Sequence, residues 1–374
     1  MIAQWVMPIL LVQCVILLAN LWHWKRRRVL PIAGSTHHLP KLSVLIPVRN
    51  ERHRLPRLVC SLRQQQYTPL QIILCDDGSD DGSTEWLRDN LPMYPEGQMC
   101  WFTAPPKPDG WVGKNWACYQ LAVRAEGDWL LFLDADLLLH EKSLASIAQT
   151  IADIGENPSC MLTAIPALRA RNLPIGLLKA MVPFSVFTLL PLHFAERHPH
   201  PAFAFANGQV VAFPQAYYLQ IQPHQQVHSA ILEDVQLARV VKATKGRVWI
   251  MDGRRLFEVS MYDSFAQAVD GFSKNAVAIC GSVSGAIAVS IALAAVYLLP
   301  LAEALLTGVT VWHIAHYTLG SVLFSLSGWM AGLPLWYGLL FPIGVCIGEG
   351  VLWRSIGWYQ RGEVRWKGRT YRVC

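Results

Sequence analysis

Asp134 and Asp136 stand two positions apart inside the otherwise apolar run WLLFLDADLLLH, Trp129 to His140. Side chains alternate across a strand, so the two carboxylates are expected on one side and Ala135 on the other. Paired carboxylates in a poorly hydrated cleft repel each other and raise their own pKa values unless a cation sits between or beside them. Mg²⁺ and Mn²⁺ are hard ions that take oxygen ligands and commonly share one or two carboxylates with substrate phosphates. The pair therefore points to a divalent cation on a diphosphate, against the plainer reading of a capped strand end. Asp76 and Asp77 close the apolar run Leu70–Cys75 and can accept hydrogen bonds from a nucleobase or ribose. Lys114 follows the turn-rich stretch DGWVG, near an expected helix N-terminus where phosphate charge is favoured. A base, a ribose and a diphosphate together describe a nucleotide-sugar.

These residues need a scaffold that brings them to one edge. Leu42–Ile46 reads as a buried strand stopped by Pro47, and Leu55, Leu58, Val59 and Leu62 then recur as one face of a helix requires. Leu70–Cys75 is the second strand, Gly113–Ala125 a helix and Trp129–Leu133 the third strand. This β-α-β-α-β order implies an α/β domain with a parallel sheet covered by helices. Such open sheets bind ligands at the carboxyl ends of their strands. PVRNE at 47–51, DDGSDDGS at 76–83 and DAD at 134–136 all fall there. Each alone also reads as a solvated turn; their shared position is the signal. Asp234 opens the helical pattern Val235, Ala238, Val241, so a helix N-terminus should favour its ionised form.

Composition sets the surroundings. Only 16% of the 374 residues are charged and 53% are hydrophobic, against ~25% charged in ordinary soluble domains. Residues 1–24 carry no Asp, Glu, Lys or Arg and run straight into Lys25-Arg26-Arg27-Arg28. That is long enough to cross a bilayer and has its charges on the wrong side for a secretory signal, so an uncleaved anchor is expected. The positive-inside rule then puts the following domain in the cytoplasm. The expected division is an anchor at 1–24, a basic juxtamembrane linker at 25–40, a catalytic domain at 41–272, transmembrane helices at 273–353 and a basic cytoplasmic tail at 354–374. In that tail Arg354, Arg361, Arg365, Lys367, Arg369 and Arg372 face a single Glu363. Beside membrane segments such a cluster favours anionic headgroups over nucleic acid. The nine cysteines show neither metal spacing nor a disulfide framework.

SVLIPVRNE, DDGSDDGS, GWVGKNWA, FLDAD and ILEDVQLARVVKATKG, in this order, together resemble the family-2 glycosyltransferases. With VRWKGRTY near the end, they look most like the membrane-bound branch containing carotenoid (diaponeurosporenoate-type) and hopanoid-associated glycosyltransferases. The resemblance implies a GT-A fold, a Rossmann-like, mostly parallel sheet, here with N-terminal and C-terminal transmembrane helices. It implies that Pro47, Asn50 and Glu51 line the nucleotide pocket and that Asp77 reads the uracil or its ribose. Asp136 would coordinate Mg²⁺ or Mn²⁺ most directly, with Asp134 supporting it or touching the ribose. The general base maps to Asp234, with Glu233 beside it. Inverting transfer needs one carboxylate to take the acceptor's proton while a metal stabilises the departing diphosphate. Processive members carry Gln-x-x-Arg-Trp after the base, whereas this chain reads FAQAVDGFSKNA, which speaks against polymer synthesis. Lys274 in that stretch would either face the diphosphate or anchor a headgroup.

Three apolar blocks near 276–300, 304–325 and 333–353 raise a parity question, because catalytic domain and tail both call for the cytoplasm. The middle block, polarised by His313 and His316, is the candidate for a re-entrant or interfacial segment; otherwise the tail lies outside. Leu173–Ala195 is also apolar but cannot cross, since Asp136 and Asp234 must share one side. Broken by Pro174, Pro183 and Pro191, it reads as an interfacial segment or as a buried core helix. A site held against a bilayer suits a lipid or terpenoid acceptor, such as a carotenoid carboxylate or hydroxyl, and a UDP-hexose donor. The competing expectations are a polyprenyl-phosphate sugar transferase or polysaccharide synthase of the same fold, and a non-catalytic nucleotide-sugar-binding membrane protein.

Overall fold

The computed structural model describes residues 2–27, 39–68, 70–155, 159–366 and 369–372. Arg28 with the rest of the expected linker to His38, Lys367 and Cys374 lie outside the described residues, as do the side chains of Arg365, Arg369 and Arg372. The chain forms two compact units. One comprises Trp24–Ala167 and His193–Val259; the other comprises Met1–His23, Leu168–Leu192 and Ser260–Cys374.

The first unit is built on a seven-stranded sheet. Its strands belong to the series β1 (Leu42–Val48), β2 (Leu70–Asp76), β3 (Met99–Thr103), β4 (Trp129–Leu133), β5 (Leu137–Leu139), β6 (Cys160–Ile165), β7 (Ala167–Leu168), β8 (Val210–Pro214), β9 (Arg247–Asp252) and β10 (Phe257–Val259). The order across the sheet is β3-β2-β1-β4-β8-β6-β9. β3, β2, β1 and β4 run parallel, β8 is antiparallel to both neighbours, and β6 and β9 are again parallel. The chain moves outward from β1 to β3 and returns to β4 on the other side of β1. That reversal is a switch point of the kind at which open α/β sheets hold ligands.

The expected face of the helix Leu55–Arg63 is the buried one: Leu55, Leu58, Val59 and Leu62 are all enclosed, each contributing about 1.5–3 kcal/mol of burial. The helix expected at Gly113 starts there and ends at Val123. Two strands differ from expectation. Trp129–Leu133 is the fourth strand rather than the third, because Met99–Thr103 (MCWFT) is too short to display alternation and ends among prolines. β4 also stops at Leu133, so Asp134-Ala135-Asp136 is a turn between β4 and β5 and not the continuing strand.

Among the described residues three helices are long and apolar enough to cross a membrane: Ile2–Arg26, Val283–Thr307 and Leu335–Gln360, the last two counted through their short 3-10 or π segments. Leu173–Leu189 forms a helix that packs against Val311–Trp329 and Phe341–Gln360. Phe184 meets Tyr297 and Phe324 edge-on or tilted, with ring centroids 5.3 and 5.2 Å apart. Gly176 lies where a Cβ would strike the Tyr337 ring. The segment is thus enclosed among the apolar helices of the second unit rather than in the sheet's core. Asn20, polar within an apolar helix, is satisfied there: its amide donates to the carbonyls of Phe187 (2.8 Å) and Leu190 (2.9 Å) and accepts from Leu192 N–H (2.8 Å). It thereby meets two carbonyls that the end of Leu173–Leu189 leaves without helical partners.

Candidate active site

β1, β2 and β4 are adjacent and parallel, so PVRNE, DDGSDDGS and DAD emerge side by side at their carboxyl ends. The first two loops are laced together. Asn50 takes the left-handed conformation (φ 55°), which Asn tolerates better than most residues. Its side chain donates to Asp80 Oδ1 (2.8 Å) and accepts from Asp80 N–H (3.0 Å), while its own N–H donates to Ser79 Oγ (3.0 Å). Glu51 N–H donates to Ser83 Oγ (2.9 Å), and the buried Glu51 carboxylate pairs with Arg54 (2.8 Å). Arg49 Nη1 donates to the carbonyls of Asp77 (2.6 Å) and Gly78 (2.9 Å). The buried Asp76 carboxylate accepts from Ser79 Oγ (2.6 Å) and Thr84 Oγ1 (2.8 Å), so it shapes its own loop. Asp77, also buried, is fixed by its N–H to the Val48 carbonyl (2.9 Å).

A different cluster forms beside β4. Because β8 is antiparallel to β4, the start of β8 lies at the end of β4, with Val210 opposite Leu133 and Asp134 N–H donating to the Gln209 carbonyl (3.0 Å). This places Gly208 next to the acidic turn. The helix Gly113–Val123 supplies Lys114 and, one residue on, the fully buried Asn115. Asn115 Nδ2 donates to the carbonyls of Val227 (2.8 Å), His228 (3.2 Å) and Ala230 (3.0 Å). It thus docks the segment leading into the helix Glu233–Ala243. The consequence is an ionic bridge: Lys114 Nζ lies 2.7 Å from Asp134 Oδ1 and 2.6 Å from Glu233 Oε1. Burial alone would lower the lysine's pKa, but the two carboxylates outweigh it and hold the ammonium well above its ordinary value.

Asp234 is the second residue of its helix. Oδ1 accepts from Val235 N–H (2.8 Å) and Oδ2 from Gly208 N–H (3.1 Å). The helix N-terminus led to the expectation of an easily ionised group. Instead burial, then the neighbouring Glu233, push its pKa up to about 6, and the two N–H donors with Lys114 only moderate that rise. A carboxyl poised near neutrality is the property a general base needs.

Pro47, Lys114, Asp134, Gly208, His224 and Glu233 line a common crevice of about 10 Å³, roughly the room of one water. His224 was not singled out in the sequence. It is buried against Phe132 (centroids 4.8 Å) with Nδ1 2.9 Å from Tyr218 OH, and burial lowers its pKa to about 3, so it is a neutral wall. Gly208 was missed as well, although Asn207-Gly208 is a legible turn signal. Lys274 lies in the helix Phe265–Cys280 of the other unit.

Among the described residues no three His, Cys, Asp or Glu side chains converge as a ready-made metal cage. Asp134 and Asp136, on one short turn, are hard oxygen donors of the type that Mg²⁺ and Mn²⁺ take while keeping waters and substrate phosphates in their shell.

Residues 43–163 match the family model described as Glycosyl transferase family 2. A 4,4'-diaponeurosporenoate glycosyltransferase of Staphylococcus haemolyticus (strain JCSC1435) is 29% identical over 238 residues, 63% of this chain and 60% of that protein. The enzyme of the same description from Staphylococcus aureus (strain USA300) is 24% identical over 260 residues, 67% of this chain and 65% of that protein. The alignments therefore span less than two thirds of either relative. A mannosyltransferase from Pyrobaculum calidifontis, solved with GDP-Man and Mn²⁺, superposes with a TM-score of 0.55 at 14% identity, over 93% of this chain and 99% of that one. The fold is GT-A.

Proposed function

We propose that the protein is a membrane-bound, metal-dependent, inverting and non-processive glycosyltransferase. It moves a hexose from a nucleotide-sugar, a UDP-sugar by our reading, to a lipid or terpenoid acceptor. The observation that carries the proposal is the convergence of Lys114, Asp134, Glu233 and Asp234 at the switch point of a GT-A sheet. Two C-terminal crossings, Val283–Thr307 and Leu335–Gln360, would return the tail to the side of the catalytic unit, the cytoplasm by the positive-inside rule. The relatives named for a carotenoid carboxylate support an acceptor dissolved in the bilayer.

In this mechanism the loops after β1 and β2 hold the nucleoside, with Asp77 at the base or ribose and Asn50 and Glu51 shaping the pocket wall. Asp136 and Asp134 would hold the divalent cation, which when bound supplies a positive charge to the diphosphate as it departs. Lys114 meets the remaining phosphate charge. For a hydroxyl acceptor, Asp234 takes the proton as the acceptor oxygen attacks the anomeric carbon from the face opposite the diphosphate; a carboxylate acceptor attacks already ionised and needs no base. The Gly208 and Val235 N–H groups hold the Asp234 carboxylate in position.

The test is to incubate the full chain in detergent with radiolabelled UDP-hexoses or GDP-mannose, Mn²⁺ and a membrane lipid extract. Label should enter an organic-phase product carrying one sugar, alkali-labile if the acceptor is a carboxylate and alkali-stable if it is a hydroxyl. Label confined to water-soluble products, or to an acid-labile polyprenyl phosphate, would overturn the assignment.

A further inference from the structure

We infer that Lys114 makes metal binding and nucleotide binding depend on each other, by standing as a resident cation between Asp134 and Glu233 until a diphosphate draws it away. The inference rests on the donor reading above and deepens it. The Lys114 ammonium is within ion-pair distance of both carboxylates, 2.7 and 2.6 Å. An ammonium has three donors and no acceptor, so two are engaged and one remains for a phosphate oxygen. The backbone beneath it is fixed: Lys114 sits in the first turn of its helix, and the next residue, Asn115, is clamped to three carbonyls. The side chain is a third exposed, so it can swing outward while the helix stays in place. The crevice beneath the bridge has room for about one water, so a diphosphate would meet the ammonium from its exposed side and draw it outward.

Charge gives the movement its consequence. Asp134 and Glu233 share the Lys114 ammonium, and Asp234 adjoins Glu233 where both approach Gly208. A divalent cation arriving alone must share Asp134 with that ammonium. A positive charge a few ångströms from the ion lowers its affinity by more than about tenfold at the effective dielectric of such sites. When a diphosphate arrives, it adds the negative charge that both cations can bind. The lysine then gains a phosphate partner, releases Asp134, and the repulsion is replaced by a shared anion. By linkage, each ligand must strengthen the other by the same factor.

The readout is free Mn²⁺, followed by electron paramagnetic resonance during titration of the full chain in nanodiscs, with and without UDP or GDP. The native protein should take up Mn²⁺ weakly alone and at least about thirtyfold more tightly with nucleotide. Lys114→Gln should tighten nucleotide-free Mn²⁺ by about tenfold while the gain on adding nucleotide shrinks to a few-fold. A distorted site would weaken both, so the opposite movements are diagnostic. Lys114→Arg, which keeps the charge, should keep most of the dependence. Equal Mn²⁺ uptake by the native protein with and without nucleotide overturns this inference alone, as does a Lys114→Gln variant weakened in both conditions. Failure of the native protein to bind either nucleotide calorimetrically, with Mn²⁺ present, overturns the donor reading beneath it as well.

Discussion

The loops after β1 and β2 and the cluster after β4 lie at the same edge of one sheet, yet their polar groups are arranged differently. In the loop pair charges and dipoles meet complements of matching size: Asn50 with Asp80, Glu51 with Arg54, Asp76 with Ser79 and Thr84. Beside β4, three carboxyl groups crowd a single ammonium, and one of them is driven toward neutrality at about pH 6. Matched groups fix a shape and resist change. Crowded groups store a preference for a partner that brings positive charge, negative phosphate or a proton. On the proposed function, the first region would be the mould for the nucleoside and the second the place where bonds change.

Removing the base should break that division most severely. Asp234→Asn keeps the size and the acceptor for one N–H but cannot take a proton. Turnover with a hydroxyl acceptor should fall by about 10²–10⁴, with nucleotide-sugar affinity nearly unchanged in calorimetry. A carboxylate acceptor brings no proton, so transfer to it should survive the substitution far better, and the size of the loss identifies the acceptor. Retained turnover on hydroxyls would remove Asp234 from the role. The native pH profile should agree. The base works ionised, so kcat/KM for a hydroxyl acceptor should decline as pH falls through about 6. Stability has the opposite sign. A carboxyl whose folded pKa is raised favours the folded state fully below its unfolded value of 3.8, and that contribution is lost as pH rises through about 6.

Gly208 tests whether position matters as much as identity. A Cβ there would lie 3.1 Å from Asp234 Cβ and 3.3 Å from both Asp234 Oδ2 and Glu233 Oε1. Those contacts are tight enough to push the base without removing it. Gly208→Ala should lower kcat by about 10- to 100-fold, the scale of sub-ångström misplacement, and leave nucleotide affinity within a few-fold. A nucleotide affinity that fell as far as kcat would mean that the two regions are not separable.

The same contrast explains what could be read in advance. The strand ends, the Leu55–Leu62 helix face and the motif clusters were legible because strand and helix periods are local properties. Asp134 and Asp136 were legible because carboxylates in an apolar run are costly and call for a reason, and Asp234 because it opens a helical pattern. The bridge from Lys114 to Glu233 was not, since it joins residues 119 positions apart through Asn115's hold on a distant loop. Nor was the raised pKa of Asp234, because sequence shows the helix N-terminus and hides the burial. Gly208 reaches the site only because β8 runs antiparallel to β4, a pairing no local pattern encodes. β3 was missed for want of length, and Leu173–Leu189 could not be assigned because an apolar run does not say which core will enclose it.

The smallest effect is expected in the mould, and it bears on the comparison most finely. Asn50 holds a left-handed backbone and contributes two side-chain hydrogen bonds to Asp80. Asn50→Gly keeps the backbone conformation and removes the bonds, each worth about 0.5–1.5 kcal/mol. Asn50→Ala removes the same bonds and adds the left-handed strain of about 1–2 kcal/mol. Donor KM should therefore rise about three- to tenfold for Asn50→Gly and further for Asn50→Ala, with kcat within about twofold of native in both. Thermal unfolding should separate the two variants by the strain less the extra unfolded-chain entropy of Gly, because the lost bonds are common to them. If instead kcat falls in step with the rise in KM, the loop shapes the transition state as well as the ground state. The mould and the reacting cluster would then be one device, and the division between matched and crowded charge would be structural without being functional.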